Sequence, residues 1–274
     1  MIPAAFQYQR VDSLDGAIAA LTEHGDDAKL LAGGMSLLPL MKLRLATPTV
    51  LVDVGRLRDL SYVRDAGDHV AVGALTRHRD LETDGVLAAH CGVLRAVAAQ
   101  VGDNQVRHRG TIGGSVAHGD PASDLPAALV ALDATFVARG PAGERTIAAT
   151  EFFHGFLETA LGADELLTEI RVPKCGPAGF AYEKFNRRAQ DWAIVGALAA
   201  RVDGSTRVAL VNMGSVPVRA SAVERALASG ASPSDAAQHA AEGTEAPADL
   251  NASSEYREHL ARALTRRALE AAGV

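Results

Sequence analysis

The stretch RHRGTIGGSVAHGDPASDLPAAL, residues 107–129, sets a β-branched pair before two adjacent glycines, then two aspartates, then an apolar run of helical character. Adjacent glycines let a ligand approach the main chain closely, and consecutive N–H groups turned inward form a nest for an anion. A helix starting at such a point adds favourable partial charge. The hydroxyls of Thr111 and Ser115 are further donors. Upstream, LLAGGMSLLPLMKLRLATPTVLVDV, residues 30–54, repeats the device with a short strand, Gly33-Gly34, Ser36 and an apolar run. Either pair alone reads as an ordinary turn in a chain with 26 glycines. Two nests suit a diphosphate. Neither pair belongs to G-x-G-x-x-G or G-x-x-x-x-G-K-[ST], so a nicotinamide Rossmann site and a P-loop both lack their fingerprint. The residues themselves define two candidate anion nests sharing one ligand.

Around these loops the pattern alternates. Asp12 or Ser13 can cap a helix carrying Leu14, Ala17, Ile18 and Leu21 on one face and ending at Gly25. Strands at 28–32 and 49–54 make a βαβ-like unit that ends near residue 60. A strand at 69–74 leads to a helical run over 86–101. ATFVAR and ERTIAA flank Gly140-Pro141-Ala142-Gly143 as a hairpin, EFFHGFLETAL looks helical, and LLTEIRVP looks like a closing strand. PKCGPAG, 173–179, is a boundary. Beyond it FAYEKF, AIVGALAARV and RVALVNM read as strands, followed by two or three alanine-rich helices. The last is capped by Ser253 or Ser254 and has Tyr256, Leu260, Ala263 and Leu264 on one face. Three units are expected, at 1–60, 61–173 and 178–274.

A chain of 274 residues buries roughly 70–75% of its unfolded surface. With 48% hydrophobic residues and aromatics at only 4%, its core must be aliphatic and alanine-rich. A net charge of -6 argues against a nucleic-acid partner. Two cysteines, Cys91 and Cys175, far apart in sequence, argue against a disulfide framework, a zinc site and an iron-sulfur site in this chain. They fit a reducing cytoplasm. The start MIPAAFQYQRVDS has no signal-peptide pattern, and no apolar run approaches a membrane span. His108, His118 and His154 lack metal-ligand spacing, and no nucleophile and base arrangement stands out. His118 lies nearest the second nest.

At residues 30–54 and 106–134 the chain resembles the FAD-binding medium subunit of molybdenum hydroxylases, of the aerobic carbon-monoxide dehydrogenase type. A-G-G-x-S and T-I-G-G roughly eighty residues apart are far more specific together than either alone. The likeness continues through DELLTEIRVP and FAYEKFNRRAQDWAIVGALAA. It implies an α+β protein: a vanillyl-alcohol-oxidase-type FAD-binding fold in two subdomains, then a C-terminal domain of a small antiparallel sheet with helices.

The resemblance assigns Ala32, Gly33, Gly34, Met35, Ser36 and Leu37 to the first diphosphate loop and Thr111, Ile112, Gly113, Gly114 and Ser115 to the second. Asp124 corresponds to an aspartate contacting the ribityl region; its other reading is the N-cap of a helix over 125–132. Leu167 would pack by the flavin, Lys184 would place positive charge near it, and Trp192 offers a flat face to the isoalloxazine. Met35 stands where His or Gln is common in the family, and Ser115 where Asn is common. Backbone donors do not depend on either side chain.

The resemblance implies that [2Fe-2S] clusters and the molybdopterin cofactor reside in a small and a large partner subunit, in a dimer of heterotrimers, with FAD handing electrons to an external acceptor. Carbon monoxide is the first choice of substrate. The alternatives are hydroxylation of an N-heterocycle, purine or aldehyde, a stand-alone flavin oxidoreductase, and a non-catalytic FAD-binding protein.

Overall fold

The computed structural model describes residues 2–274. β1 (Gln7–Arg10) leads into α1 (Leu14–His24), capped by the Ser13 hydroxyl, which accepts from the Gly16 N–H at 3.0 Å. β2 (Ala28–Leu31), α2 (Leu37–Lys42) and β3 (Val50–Asp53) follow. β3 lies between β1 and β2 and is parallel to both. Val50 and Val52 pack with Ala17, Ile18 and Leu21 of α1, so the helical stripe seen in the sequence is the lid of this small sheet. β1 has no apolar alternation: QYQR is an edge strand exposed at three of its four residues, and such a strand leaves no periodic signal.

Next come β4 (Val63–Asp65), β5 (His69–Gly73), α3 (His78–Thr83), α4 (Gly85–His90), α5 (Gly92–Ala99), α6 (Asn104–Arg109), α7 (Ile112–His118) and α8 (Asp124–Ala131). β6 (Thr135–Gly140), β7 (Gly143–Ala148), β8 (Phe153–Gly155), β9 (Glu158–Thr159) and β10 (Leu166–Pro173) complete the middle of the chain. The antiparallel sheet runs β4-β5-β10-β6-β7. LLTEIRVP, expected to close the unit, is instead its centre, which is why six of its eight residues are buried. The β6–β7 hairpin turns where expected, with Gly140 opposite Gly143.

Two expectations fail here for identifiable reasons. The run over 86–101 is two helices, broken at Cys91 (φ −153°, ψ 62°) because the segment after β10 docks there: the Cys175 and Gly176 N–H groups both donate to the His90 carbonyl at 3.0 Å. EFFHGFLETAL is not helical. Phe152 and Phe153 both pack edge-to-face on Phe136, with ring centroids 4.7 and 6.2 Å away. Neighbouring helical residues point ~100° apart, so no helix serves both contacts, and the chain forms the β8–β9 hairpin instead.

The C-terminal part holds β11 (Phe180–Phe185), β12 (Val195–Val202), β13 (Ser205–Val211) and β14 (Val218–Arg219), an antiparallel sheet in that order. α9 (Ser221–Ala228), α10 (Pro233–Ala237) and α11 (Ser254–Ala271) follow. Both faces of β12 are covered: Leu198, Ala200 and Val202 join the core shared with α5 and α8, while Ala197 and Ala199 join α11. A strand buried on both sides reads as the continuous apolar run GALAA. Ser253 is the α11 cap. The buried stripe of α11 is rotated from the expected one and runs through Arg257, Leu260, Ala261, Leu264, Thr265 and Ala268, leaving Tyr256 exposed against Phe185. Arg257 belongs inside because its guanidinium donates to the Ile194 carbonyl and to Asp249.

Candidate functional site

The two glycine loops face one cavity of about 530 Å³. Residues 31–37 line one side; Gly110, Thr111, Gly113, Gly114, Ser115, Ala117 and His118 line another; residues 157–159, 161–163 and 165–167 close the far end. Its volume falls in the usual range for small-molecule and cofactor sites.

The loops are not equivalent. In the first, the chain leaves β2 and turns through Gly34 at φ 76°, a left-handed backbone that glycine takes without strain. Among the described residues, none of the N–H groups of Gly33, Gly34, Met35, Ser36 and Leu37 donates to a protein acceptor, whereas the Leu38 N–H donates to the Gly34 carbonyl. Five consecutive donors therefore await an acceptor at the start of α2. Gly33 has a second requirement, since a Cβ there would overlap the Arg109 carbonyl. The two loops touch through their backbones.

The second loop is not the open nest its sequence suggests. Gly113 and Gly114 lie within the first turn of α7, after α6 rather than after a strand. The Ile112 N–H donates to the Thr76 carbonyl at 3.0 Å and the Gly113 N–H to the Ala74 carbonyl at 2.9 Å. The Gly114 N–H goes to the Thr111 hydroxyl at 3.1 Å, making Thr111 the cap of α7. What this element presents to the cavity is a shallow face of small residues, Gly114, Ser115 and Ala117. Gly113 is glycine because the chain just past β5 runs so close that a Cβ would meet Ala74 Cβ at 2.6 Å.

Leu167 lines the cavity from β10, where the register against β6 shifts between Leu167 and Glu169. Ile112, buried in the core beneath the second loop, does not line it, and neither do Asp124, Lys184 and Trp192. Asp124 and Lys184 form a pair of their own: Lys184 Nζ lies 2.8 Å from Asp124 Oδ2 and 3.0 Å from the Gln100 carbonyl, while the Tyr182 hydroxyl donates to Asp124 Oδ1. Burial pushes the Asp124 carboxyl upward, and Lys184 and Tyr182 oppose that rise. Asp124 is the first residue of α8, not its N-cap; Ser123 holds that position. Trp192 sits in the β11–β12 connection with 54% of its surface exposed.

Several residues escaped the sequence reading. His78 lines the cavity, is 3% exposed, and leaves its Nδ1 without a partner. Burial, with Arg77 and Arg107 nearby, lowers its pKa to about 4. Arg77 donates to the Arg109 carbonyl and so holds the second loop from outside. His118, which the sequence placed nearest the second nest, also lines the cavity, and burial lowers its pKa. Lys29 is the one cation among the described lining residues. A histidine after TR and a lysine on a short strand carry no pattern that separates them from surface residues. Among the described residues no His, Cys, Asp and Glu cluster could hold a metal.

These features fit FAD. A diphosphate needs donors without partners, which the first loop offers, and close approach on its other side, which Gly114 and Ser115 allow; Leu31, Leu161 and Leu167 offer apolar wall to rings. Residues 4–175 match the family model described as the FAD binding domain in molybdopterin dehydrogenase, and residues 180–272 that described as the CO dehydrogenase flavoprotein C-terminal domain. The chain belongs to the FAD-binding medium-subunit family of the molybdenum hydroxylases, as an oxidoreductase subunit of the carbon-monoxide dehydrogenase type. It is 41% identical to the carbon monoxide dehydrogenase medium chain of Hydrogenophaga pseudoflava, across 99% of this chain and 98% of that one. It is 36% identical to the 6-hydroxypseudooxynicotine dehydrogenase complex subunit alpha of Paenarthrobacter nicotinovorans, across 98% and 95%. The solved carbon monoxide dehydrogenase of Hydrogenophaga pseudoflava that lacks the Mo-pyranopterin moiety of the molybdenum cofactor superposes with a TM-score of 0.95 at 41% identity, covering 100% of this chain and 99% of that one.

Proposed function

We propose that this chain is the electron outlet of a three-subunit carbon monoxide dehydrogenase: electrons reach it from [2Fe-2S] clusters in a small subunit, after substrate oxidation at molybdenum in a large subunit, and leave to an external acceptor. The observation that carries the reading is the row of unpartnered N–H groups from Gly33 to Leu37 facing Gly114 and Ser115 across one cavity. Bound FAD supplies the capacity to take up and release electrons singly or in pairs. The chain's own part is binding and exclusion of water. In this reading Ala32 to Leu37 hold the diphosphate by main-chain donors, Ser115 and Thr111 bound its other side, and Leu167 packs against the ring system. Trp192 covers the isoalloxazine, and Lys184, anchored by Asp124, adds positive charge beyond the cavity.

The division at residue 60 and at 173–178 that we propose is supported by each stretch building its own sheet. Among the described residues no helix is long and apolar enough to cross a membrane. A cytoplasmic dimer of heterotrimers is the assembly we propose. Carbon monoxide leads as substrate because two relatives, 41% and 39% identical, are medium chains named for it. Reconstitution tests the whole: the FAD-loaded chain is combined with its iron-sulfur and molybdenum partners, and carbon monoxide oxidation to an artificial acceptor is assayed. Activity should need all three chains; turnover by this chain alone, or undiminished transfer to the flavin-site acceptor without it, overturns the reading.

A further inference from the structure

Cys91 and Cys175, 84 positions apart, meet in the fold with Sγ atoms 3.4 Å from one another. Their backbones are already side by side. Cys91 pairs with Gly176 in an isolated parallel bridge, the His90 carbonyl accepts from both Cys175 and Gly176, and the Gly92 N–H donates to the Gly176 carbonyl at 3.1 Å. A disulfide requires neighbouring backbones of this kind and a closure of the sulfurs to ~2.0 Å. The two thiols differ in access, since Cys91 is fully buried and Cys175 half-buried. Beside them, His90 and Lys174 both reach Asp65, at 3.3 and 2.7 Å.

We propose that Cys91 and Cys175 are an oxidisable dithiol, which hydrogen peroxide converts to an intramolecular disulfide fastening the α4–α5 break to the segment that enters β11. Cys175, the accessible thiol, reacts first. Its thiolate attacks one peroxide oxygen, the O–O bond breaks, the departing hydroxide takes a proton to become water, and Cys175 becomes a sulfenic acid. The Cys91 sulfur then displaces the second oxygen, which leaves as water with the Cys91 proton, and the S–S bond forms. Two thiols lose two electrons and peroxide becomes two waters. A proton held on Cys91 favours this order: its S–H donates to the Cys175 thiolate, lowering the Cys175 pKa and raising that of Cys91. A pair of this kind in a reducing compartment is transient and redox-sensing rather than structural.

The bond would tie down more than a loop. It fixes the start of α5, and Gln100 just past the end of α5 receives Lys184 Nζ on its carbonyl and donates its side-chain amide to the Tyr182 carbonyl at 3.2 Å. The test uses the full FAD-loaded chain, first reduced and then given a small excess of hydrogen peroxide, with free methionine in the same solution as the indicator that the dose sufficed. Under denaturing alkylation both thiols should be lost, a non-reducing peptide map should contain Cys91 joined to Cys175, and the melting temperature should rise by several degrees. Dithiothreitol should undo all three. In Cys91→Ser the same dose should leave a Cys175 sulfenic acid that dimedone captures; in Cys175→Ser the Cys91 thiol should stay unmodified. Two free thiols after the added methionine has been oxidised to its sulfoxide, or Cys175 over-oxidised to sulfinic acid with Cys91 free, overturns the proposal.

Discussion

Lys184 and Asp124 form an ion pair 2.8 Å long whose side chains are only 4% and 5% exposed, between two layers of the fold. α8 brings the carboxylate and β11 the ammonium, so the pair joins the middle of the chain to its C-terminal sheet. Breaking such a pair from one side leaves an uncompensated buried charge, which costs about 3–5 kcal/mol. Lys184→Met should therefore lose that much in urea denaturation at pH 8. Without the lysine, burial raises the Asp124 carboxyl further, and the folded state prefers it protonated. A raised folded pKa gives stability at low pH that is lost as pH rises, so the variant should be more stable at pH 5.5 than at pH 8. An unchanged pH dependence would deny the pair its role.

Gly33 and Gly114 should respond differently to the same substitution. Gly33→Val drives a side chain into the Arg109 backbone, so it should lower stability and abolish FAD retention together. At Gly114 an added Cβ meets only the Thr111 hydroxyl, at 2.7 Å. Gly114→Val should remain folded while FAD affinity falls roughly tenfold or more, a loss of about 1.4 kcal/mol or more. Flavin absorbance after gel filtration, with circular dichroism on the same samples, separates the two cases. Full flavin content in both variants would remove the diphosphate from between these loops.

His78 gives the fold an acid limit. The unfolded chain binds its proton near pH 6.5 and the folded chain only near pH 4. A depressed folded pKa means stability that is present above pH 6.5 and lost as pH falls, by about 3 kcal/mol over that window. His78→Phe keeps an aromatic ring and removes the titration, and no hydrogen bond at Nδ1 is lost. Denaturation midpoints from pH 7 to pH 4 should fall less steeply in the variant than in the native chain. Parallel curves would show that His78 titrates normally.

Trp192 is half exposed, so Trp192→Ala opens no cavity and should change stability by no more than about 0.5 kcal/mol. If its ring covers the isoalloxazine, bound-flavin fluorescence should rise in the variant and FAD should bind about 1–2 kcal/mol more weakly. Identical fluorescence and affinity would make the tryptophan a surface residue.

Sequence patterning reached furthest where one residue type had one physical use. Ser13, Leu14, Ala17, Ile18 and Leu21 spelled out α1 because capping and a single apolar stripe are local properties. The glycine loops were legible as a pair because backbone approach has no other economical solution. Tertiary partners overrode local pattern elsewhere: Cys91 looks helical until Gly176 docks on it, and Phe152 and Phe153 look helical until Phe136 receives both. Gly113 and Gly114 resemble Gly33 and Gly34 in letters alone. Their N–H groups are closed by the Ala74 carbonyl and the Thr111 hydroxyl, and nothing in the glycine pair itself announces those acceptors.

The central position of β10 dictates an order of assembly during synthesis. β5 emerges early from the ribosome, yet its principal neighbour, beginning at Leu166, is made almost a hundred residues later, and Val72 must wait for Ile170 to pair. The same late strand contributes Leu166 and Leu167 to the cavity whose earliest wall dates from residues 28–37. The cofactor compartment therefore cannot exist on a nascent chain shorter than about two thirds of the finished one. Loading of the flavin is an event of the late or released polypeptide, and a stall before β10 would yield a product with both glycine loops and nowhere to put a ligand.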